Sequence, residues 1–93
     1  MEKIKIGQIG ALHDHAGDMI QTLKKMQDQY EIVGVAIPEE ETMRNPALYA
    51  DLPSMSVDEL LGTPGLQAVA IETSELNLTK YAMMALERGL AVP

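Results

Sequence analysis

Cysteine is absent from this sequence, which excludes a disulfide framework, a thiolate metal site and a cysteine nucleophile. Phe and Trp are absent too, and aromatics amount to three Tyr, so any core must be built from Ile, Leu, Val, Ala and seven Met. Such a core is adaptable rather than stiff. Cations are scarce: seven Lys and Arg stand against 14 Asp and Glu, for a formal net charge of −7. That excess repels phosphate backbones and anionic lipid, so nucleic acid and membrane surfaces are poor partners. No apolar run approaches the roughly 20 residues that span a bilayer, and the N-terminus lacks the long apolar core of a signal peptide. The expectation is one soluble, cytoplasmic α/β domain of 93 residues, small enough that its stability is marginal unless it pairs or belongs to a longer chain.

What is present has a clear order. Ile4, Ile6 and Ile9 are β-branched, and Gly10 follows as a turn that leads into a helical pattern. Ala16, Met19, Ile20, Leu23 and Met26 recur at spacings of three and four opposite a polar face, which predicts a helix from about His15 to Gln29. Tyr30 to Ile37 is apolar at nearly every position, the habit of a strand covered on both faces. Pro38 followed by Glu39, Glu40 and Glu41 reads as the start of a weak helix that Pro46 interrupts. Ser56-Val57-Asp58-Glu59 matches a capping box opening a short helix, Val57 to Leu61, which Gly62 stops.

Leu66 to Ile71 is a further buried-strand run, ending at the polar edge Glu72-Thr73-Ser74. From about Asn77, the stripe Leu78, Tyr81, Ala82, Ala85 and Leu86 predicts another helix closed by Gly89, and Leu90-Ala91-Val92 begins one more strand. Strands alternating with helices imply right-handed crossovers and a doubly wound, mostly parallel sheet in a three-layer αβα arrangement. In such sheets the ligand crevice lies beyond the carboxyl ends of the strands. Gly10 to His15, Pro38 to Glu40 and Thr73 to Glu75 should therefore converge on one cleft. Helix N-termini bind phosphate through free amides and the dipole, so the Gly10 turn is the candidate phosphate site.

Several short motifs, taken in order, resemble a known family. Lys3-Ile4-Lys5-Ile6-Gly7-Gln8-Ile9-Gly10, Glu31-Ile32-Val33-Gly34-Val35-Ala36, Ser56-Val57-Asp58-Glu59-Leu60-Leu61 before Gly65 to Ile71, and Ala82-Met83-Met84-Ala85-Leu86-Glu87-Arg88-Gly89-Leu90-Ala91-Val92 together resemble the N-terminal dinucleotide-binding domain of the glucose-fructose oxidoreductase, inositol dehydrogenase and rhizopine-catabolism (Gfo/Idh/MocA) family. That resemblance covers essentially the whole chain. It implies a Rossmann-like fold and an NAD(P)-dependent oxidoreductase acting on a sugar, polyol or related small molecule, often as a homo-oligomer. It also implies that the catalytic lysine and the substrate domain belong beyond residue 93, so no catalytic residue is expected here and the stretch alone should not turn over.

By the same resemblance the cofactor-binding positions are Gly10, Ala11, Leu12, His13, Pro38, Glu39, Thr73 and Ser74. Three departures stand out. Leu12 occupies the place of the second fingerprint glycine, Ile37 that of the ribose-binding acid, and Leu78 that of the usual histidine. Glu39 and Glu40 follow Ile37 closely, and their negative field favours NAD over NADP. The alternative is a Rossmann-like binding or assembly module that has lost its cofactor. His13-Asp14-His15 offers two imidazoles and a carboxylate, but adjacent residues without a further clustered ligand seldom complete a metal site. The expectation is no metal, with Asp14 or His15 capping the first helix and His13 facing the cleft.

Overall fold

The structure is a computed structural model that describes residues 2–93. Four parallel strands, β1 (Ile4–Ile9), β2 (Tyr30–Ala36), β3 (Ser54–Met55) and β4 (Ala68–Ile71), form one sheet in the order β3-β2-β1-β4. Helix α1 (Asp14–Lys25) links β1 to β2, while a 3-10 turn (Pro46–Tyr49) and α2 (Val57–Leu61) flank β3. Helix α3 (Glu75–Glu87) follows β4. After α3, Ala91 makes a single parallel bridge to Ala68 on the outer side of β4 in place of the full strand that Leu90-Ala91-Val92 suggests.

Alternation along β1 divides the core. Ile6 joins Ala16, Ile20, Leu23, Val35 and Tyr49 under α1 and the 3-10 turn. Ile9 joins Leu60, Leu61, Val69, Ile71, Tyr81 and Ala85 under α2 and α3. Helices therefore cover both faces, giving the expected three layers. A bulge shifts the pairing from Ile6 with Ile32 to Gly7 with Gly34. Its extra residue puts Ile32 and Val35 on one face and Val33 on the other, beside Ala36. Gly7 lets α2 lie close: a Cβ there would stand 2.6 Å from a methyl of the fully buried Leu60.

Four expectations are corrected. Helix α1 ends at Lys25, short of Gln29: Met26 leaves the helical conformation at φ −109° and ψ 36°, and its carbonyl accepts the Gln29 and Tyr30 amides, each at 2.9 Å, in a turn into β2. Pro38 to Glu41 forms a turn, closed by the Glu41 amide on the Pro38 carbonyl at 2.9 Å, and no helix starts there. Pro46 opens the 3-10 turn instead of interrupting a helix, as its fixed φ and missing donor allow. Helix α3 begins at Glu75, two residues ahead of Asn77, and buries Tyr81 and Ala85 while leaving Leu78 and Leu86 exposed at 43% and 54%. The short strand β3 has no counterpart in the sequence reading. The Ser56 capping box, α2 and its end at Gly62 stand as expected.

Candidate functional site

The three loops meet. At the end of β1 the Gly10 amide donates to the Ala36 carbonyl at 2.8 Å, and the Glu72 amide donates back to the Ile9 carbonyl at 2.7 Å. The Leu12 amide reaches the Glu72 carbonyl at 3.4 Å, and the Arg44 amide donates to the Ala11 carbonyl at 2.6 Å. Gly10 has φ of +90°, and a Cβ on it would fall 2.6 Å from the Glu72 carbonyl oxygen, so glycine is required there both by conformation and by space. From inside the sheet, Gln8 supports the turn: its fully buried amide nitrogen donates to the Gly10 carbonyl at 3.0 Å and to the Tyr49 hydroxyl at 3.3 Å. Burial, ahead of the opposing Gln8 bond, raises the Tyr49 pKa and keeps that hydroxyl neutral.

Helix α1 points its amide end at this junction without a side-chain cap. Its N-cap is His13, in extended conformation. Neither Asp14 nor His15 caps it, a correction with a clear cause. The Asp14 carboxylate is drawn to Arg44 Nε at 2.7 Å and Asn45 Nδ2 at 3.3 Å, and His15 turns to Glu72. Among the described residues no side chain takes the first-turn amides, although the Ala16 amide donates to the His13 carbonyl at 3.1 Å.

Beside this junction lies a cleft of about 380 Å³ lined by Ile37, Pro38, Glu39, Glu40, Ser56, Val57, Asp58, Lys80, Tyr81 and Met84. Of the residues singled out from sequence, Pro38 and Glu39 line it. Gly10, Ala11, Leu12, His13, Thr73 and Ser74 do not line it; they follow the ends of β1 and β4. Thr73 is buried against Gly10, with its hydroxyl donating to the Ser74 carbonyl at 3.1 Å.

Two acidic residues organise the cleft in ways sequence spacing hides. The Tyr81 hydroxyl donates to Glu40 at 2.7 Å, and one Glu41 oxygen accepts from the Ser74 amide at 3.1 Å and Asn77 Nδ2 at 2.7 Å. Glu41 therefore caps α3 from a distant loop, because Ser74 makes no side-chain cap of its own. The Tyr81 bond holds the Glu40 carboxyl below its ordinary value. Burial first, then Glu40, pushes the Tyr81 phenol up to about 12.

This arrangement has solved counterparts. A provisionally assigned oxidoreductase from Erwinia carotovora atroseptica SCRI1043 superposes with a TM-score of 0.79 at 24% identity, covering 97% of this chain and 27% of that one. An NAD-binding protein from Listeria innocua gives 0.77 at 23% identity, over 98% of this chain and 26% of its own. The WlbA dehydrogenase of Bordetella pertussis, solved with NADH and UDP-GlcNAcA, gives 0.75 at 20% identity, over 98% and 28%. The fold is Rossmann-like. No family model matches the sequence, and no curated protein does. The chain spans about a quarter of the length of the solved proteins it matches.

A Rossmann-like frame turns the strand order into a map. Strand order reverses between β1 and β4, because β2 and β3 lie to one side of β1 and β4 to the other. Gly10 to His13, Thr73 and Ser74 follow the two strands at that switch, and the cleft is walled by the turn after β2, the start of α2 and α3. Glu72, read from sequence only as part of a polar edge, follows β4 directly and is tied to the end of β1 through its amide. It is only 7% exposed, with His15 Nδ1 3.3 Å and His13 Nε2 3.9 Å from its carboxylate oxygens. The third ligand-type residue that His13 and His15 lack in sequence is thus supplied from the end of β4.

Proposed function

We propose that this chain is the dinucleotide-binding part of an NAD-dependent oxidoreductase, with the hydride-transfer residues and the substrate pocket for a sugar, polyol or related compound provided outside it. The observation that carries this reading is the uncapped amide end of α1 at the β1/β4 switch, next to a glycine turn with φ of +90° and a cleft beyond β2. In this reading the pyrophosphate lies over Gly10, Ala11, Leu12 and His13, the adenosine enters the cleft beside Pro38 and Glu39, and Thr73 and Ser74 flank the nicotinamide end. When bound, the nicotinamide supplies hydride transfer. The chain's own residues hold and orient it.

Glu39, Glu40 and Asp58 line the cleft against a single ammonium, Lys80. Carboxylates accept hydrogen bonds from ribose hydroxyls and repel a 2′-phosphate, which favours NAD over NADP. The neighbours' names agree: one is an NAD-binding protein and another was solved with NADH. Calorimetric titration of the chain with NAD and NADP tests the reading. Saturable NAD binding with weaker NADP binding is expected, and the absence of both at millimolar ligand overturns it.

A second reading has its own support. Leu12 puts a side chain where the fingerprint glycine would let backbone meet phosphate, and the buried Glu72 carboxylate sets negative charge beside the same spot. Both favour a binding or assembly module that keeps the fold without the dinucleotide.

A further inference from the structure

We propose that His13, His15 and Glu72 form a divalent transition-metal site, selective for Zn²⁺-like ions and open to a water or anionic oxygen as a further ligand. One ligand atom from each residue lies within 4.8 Å of the other two. From one Glu72 oxygen, Oε2, His15 Nδ1 lies 3.4 Å away, at the tetrahedral edge, and His13 Nε2 lies 3.9 Å away, within reach of it by a small side-chain shift. That edge is about 3.3 to 3.4 Å for zinc bonds of about 2.0 to 2.1 Å. The two imidazole rings are tilted by 54° with centroids 6.0 Å apart, so they converge on the carboxylate instead of stacking.

Protein partners do not satisfy the cluster by themselves. Glu72 is 7% exposed, and the hydrogen bond its carboxylate makes to a side chain among the described residues is the 3.4 Å contact to His15. A buried carboxylate held by so long a contact is costly unless a positive charge joins it. The nearby Arg44 is committed to Asp14. A dication between the three groups would neutralise Glu72 and engage both rings.

The donor set chooses the metal. Two imidazole nitrogens and one carboxylate oxygen suit Zn²⁺ and its spectroscopic substitute Co²⁺, whereas Mg²⁺ and Ca²⁺ require mostly oxygen. Three protein ligands leave a coordination position free, and the side chains of His13 and His15, 44% and 74% exposed, leave the cluster accessible from solvent. The site ties the β1-α1 turn to the end of β4, so metal binding is coupled to the folded state. It does not require a dinucleotide, and the titration below contains none, so its result is independent of the NAD titration.

The test is titration of the 93-residue chain with Co²⁺ and Zn²⁺. One equivalent of Co²⁺ should develop the visible bands of four- or five-coordinate cobalt, displaced by Zn²⁺ and not by Mg²⁺. His15→Ala, an exposed position whose loss leaves the core intact, and Glu72→Gln should each weaken binding at least about tenfold, while Asp14→Asn should leave it unchanged. Zn²⁺ should also raise the Tm of the parent chain and not that of His15→Ala. The proposal is overturned if Co²⁺ stays octahedral without a saturable change, or if His15→Ala binds as the parent does. It also fails if a folded Glu72→Gln binds like the parent, which would reduce the site to adjacent surface histidines.

Discussion

The Tyr81 hydroxyl donates to the Glu40 carboxylate at 2.7 Å, joining α3 to the turn after β2 across the cleft. Each partner moves the other's titration. Tyr81 is raised from 10.0 to about 12, so its contribution to stability is complete below pH 10 and is lost as pH rises from there through about 12. Glu40 is lowered from 4.5, so its contribution is present above that value and is lost as pH falls through the lower folded value. Tyr81→Phe should lower the urea midpoint at neutral pH and flatten the alkaline decline. Unfolding curves of parent and variant from pH 8 to 12 check this, and an unchanged alkaline slope would show that the bond does not form in solution.

Local features of this fold could be read from the chain because their causes are local. The runs in β2 and β4 are apolar at nearly every position, the habit of strands covered on both faces, and the Ser56 box places both of its partners within one turn. The site was less legible. Glu72 meets His15 across 57 positions and Tyr81 meets Glu40 across 41, distances over which no periodicity speaks. The same cause misplaced a helix: Glu39, Glu40 and Glu41 look like a helix start, yet Glu40 and Glu41 spend their carboxylates on Tyr81, Ser74 and Asn77. What the sequence showed at Leu12, a missing glycine, concerns a ligand and not the fold, so the fold forms around it.

Ser56→Ala should destabilise the chain by about 1 kcal/mol, the usual cost of losing an N-cap. The Ser56 hydroxyl accepts the Glu59 amide at 3.0 Å while the Glu59 carboxylate accepts the Ser56 amide at 3.0 Å. Because α2 lays Leu60 on Gly7, loosening its start also loosens the core beneath β1. Chemical denaturation measures the loss, and Ser56→Asp, another good cap, should recover most of it.

Gly10→Ala tests the turn. Alanine would have to hold φ of +90° and place its methyl carbon 2.6 Å from the Glu72 carbonyl oxygen, backbone that cannot swing aside. Strain of about 1 to 3 kcal/mol is expected, with a lower Tm and loss of any NAD response. A variant as stable as the parent would mean that the turn adopts another conformation in solution.

Leu12→Gly separates the two functional readings. If the dinucleotide site is intact apart from the side chain at this position, glycine opens the approach to the first turn of α1, whose amides no side chain caps. NAD affinity should then rise about tenfold, equivalent to about 1.4 kcal/mol, while unfolding free energy falls slightly because glycine widens the unfolded ensemble. Glu72 is unchanged by this substitution, so its carboxylate continues to oppose phosphate beside the same turn. A Leu12→Gly chain that folds and still ignores NAD would therefore shift the weight to Glu72, favouring the module that kept the Rossmann-like frame without its cofactor, and calorimetry on parent and variant side by side decides between them.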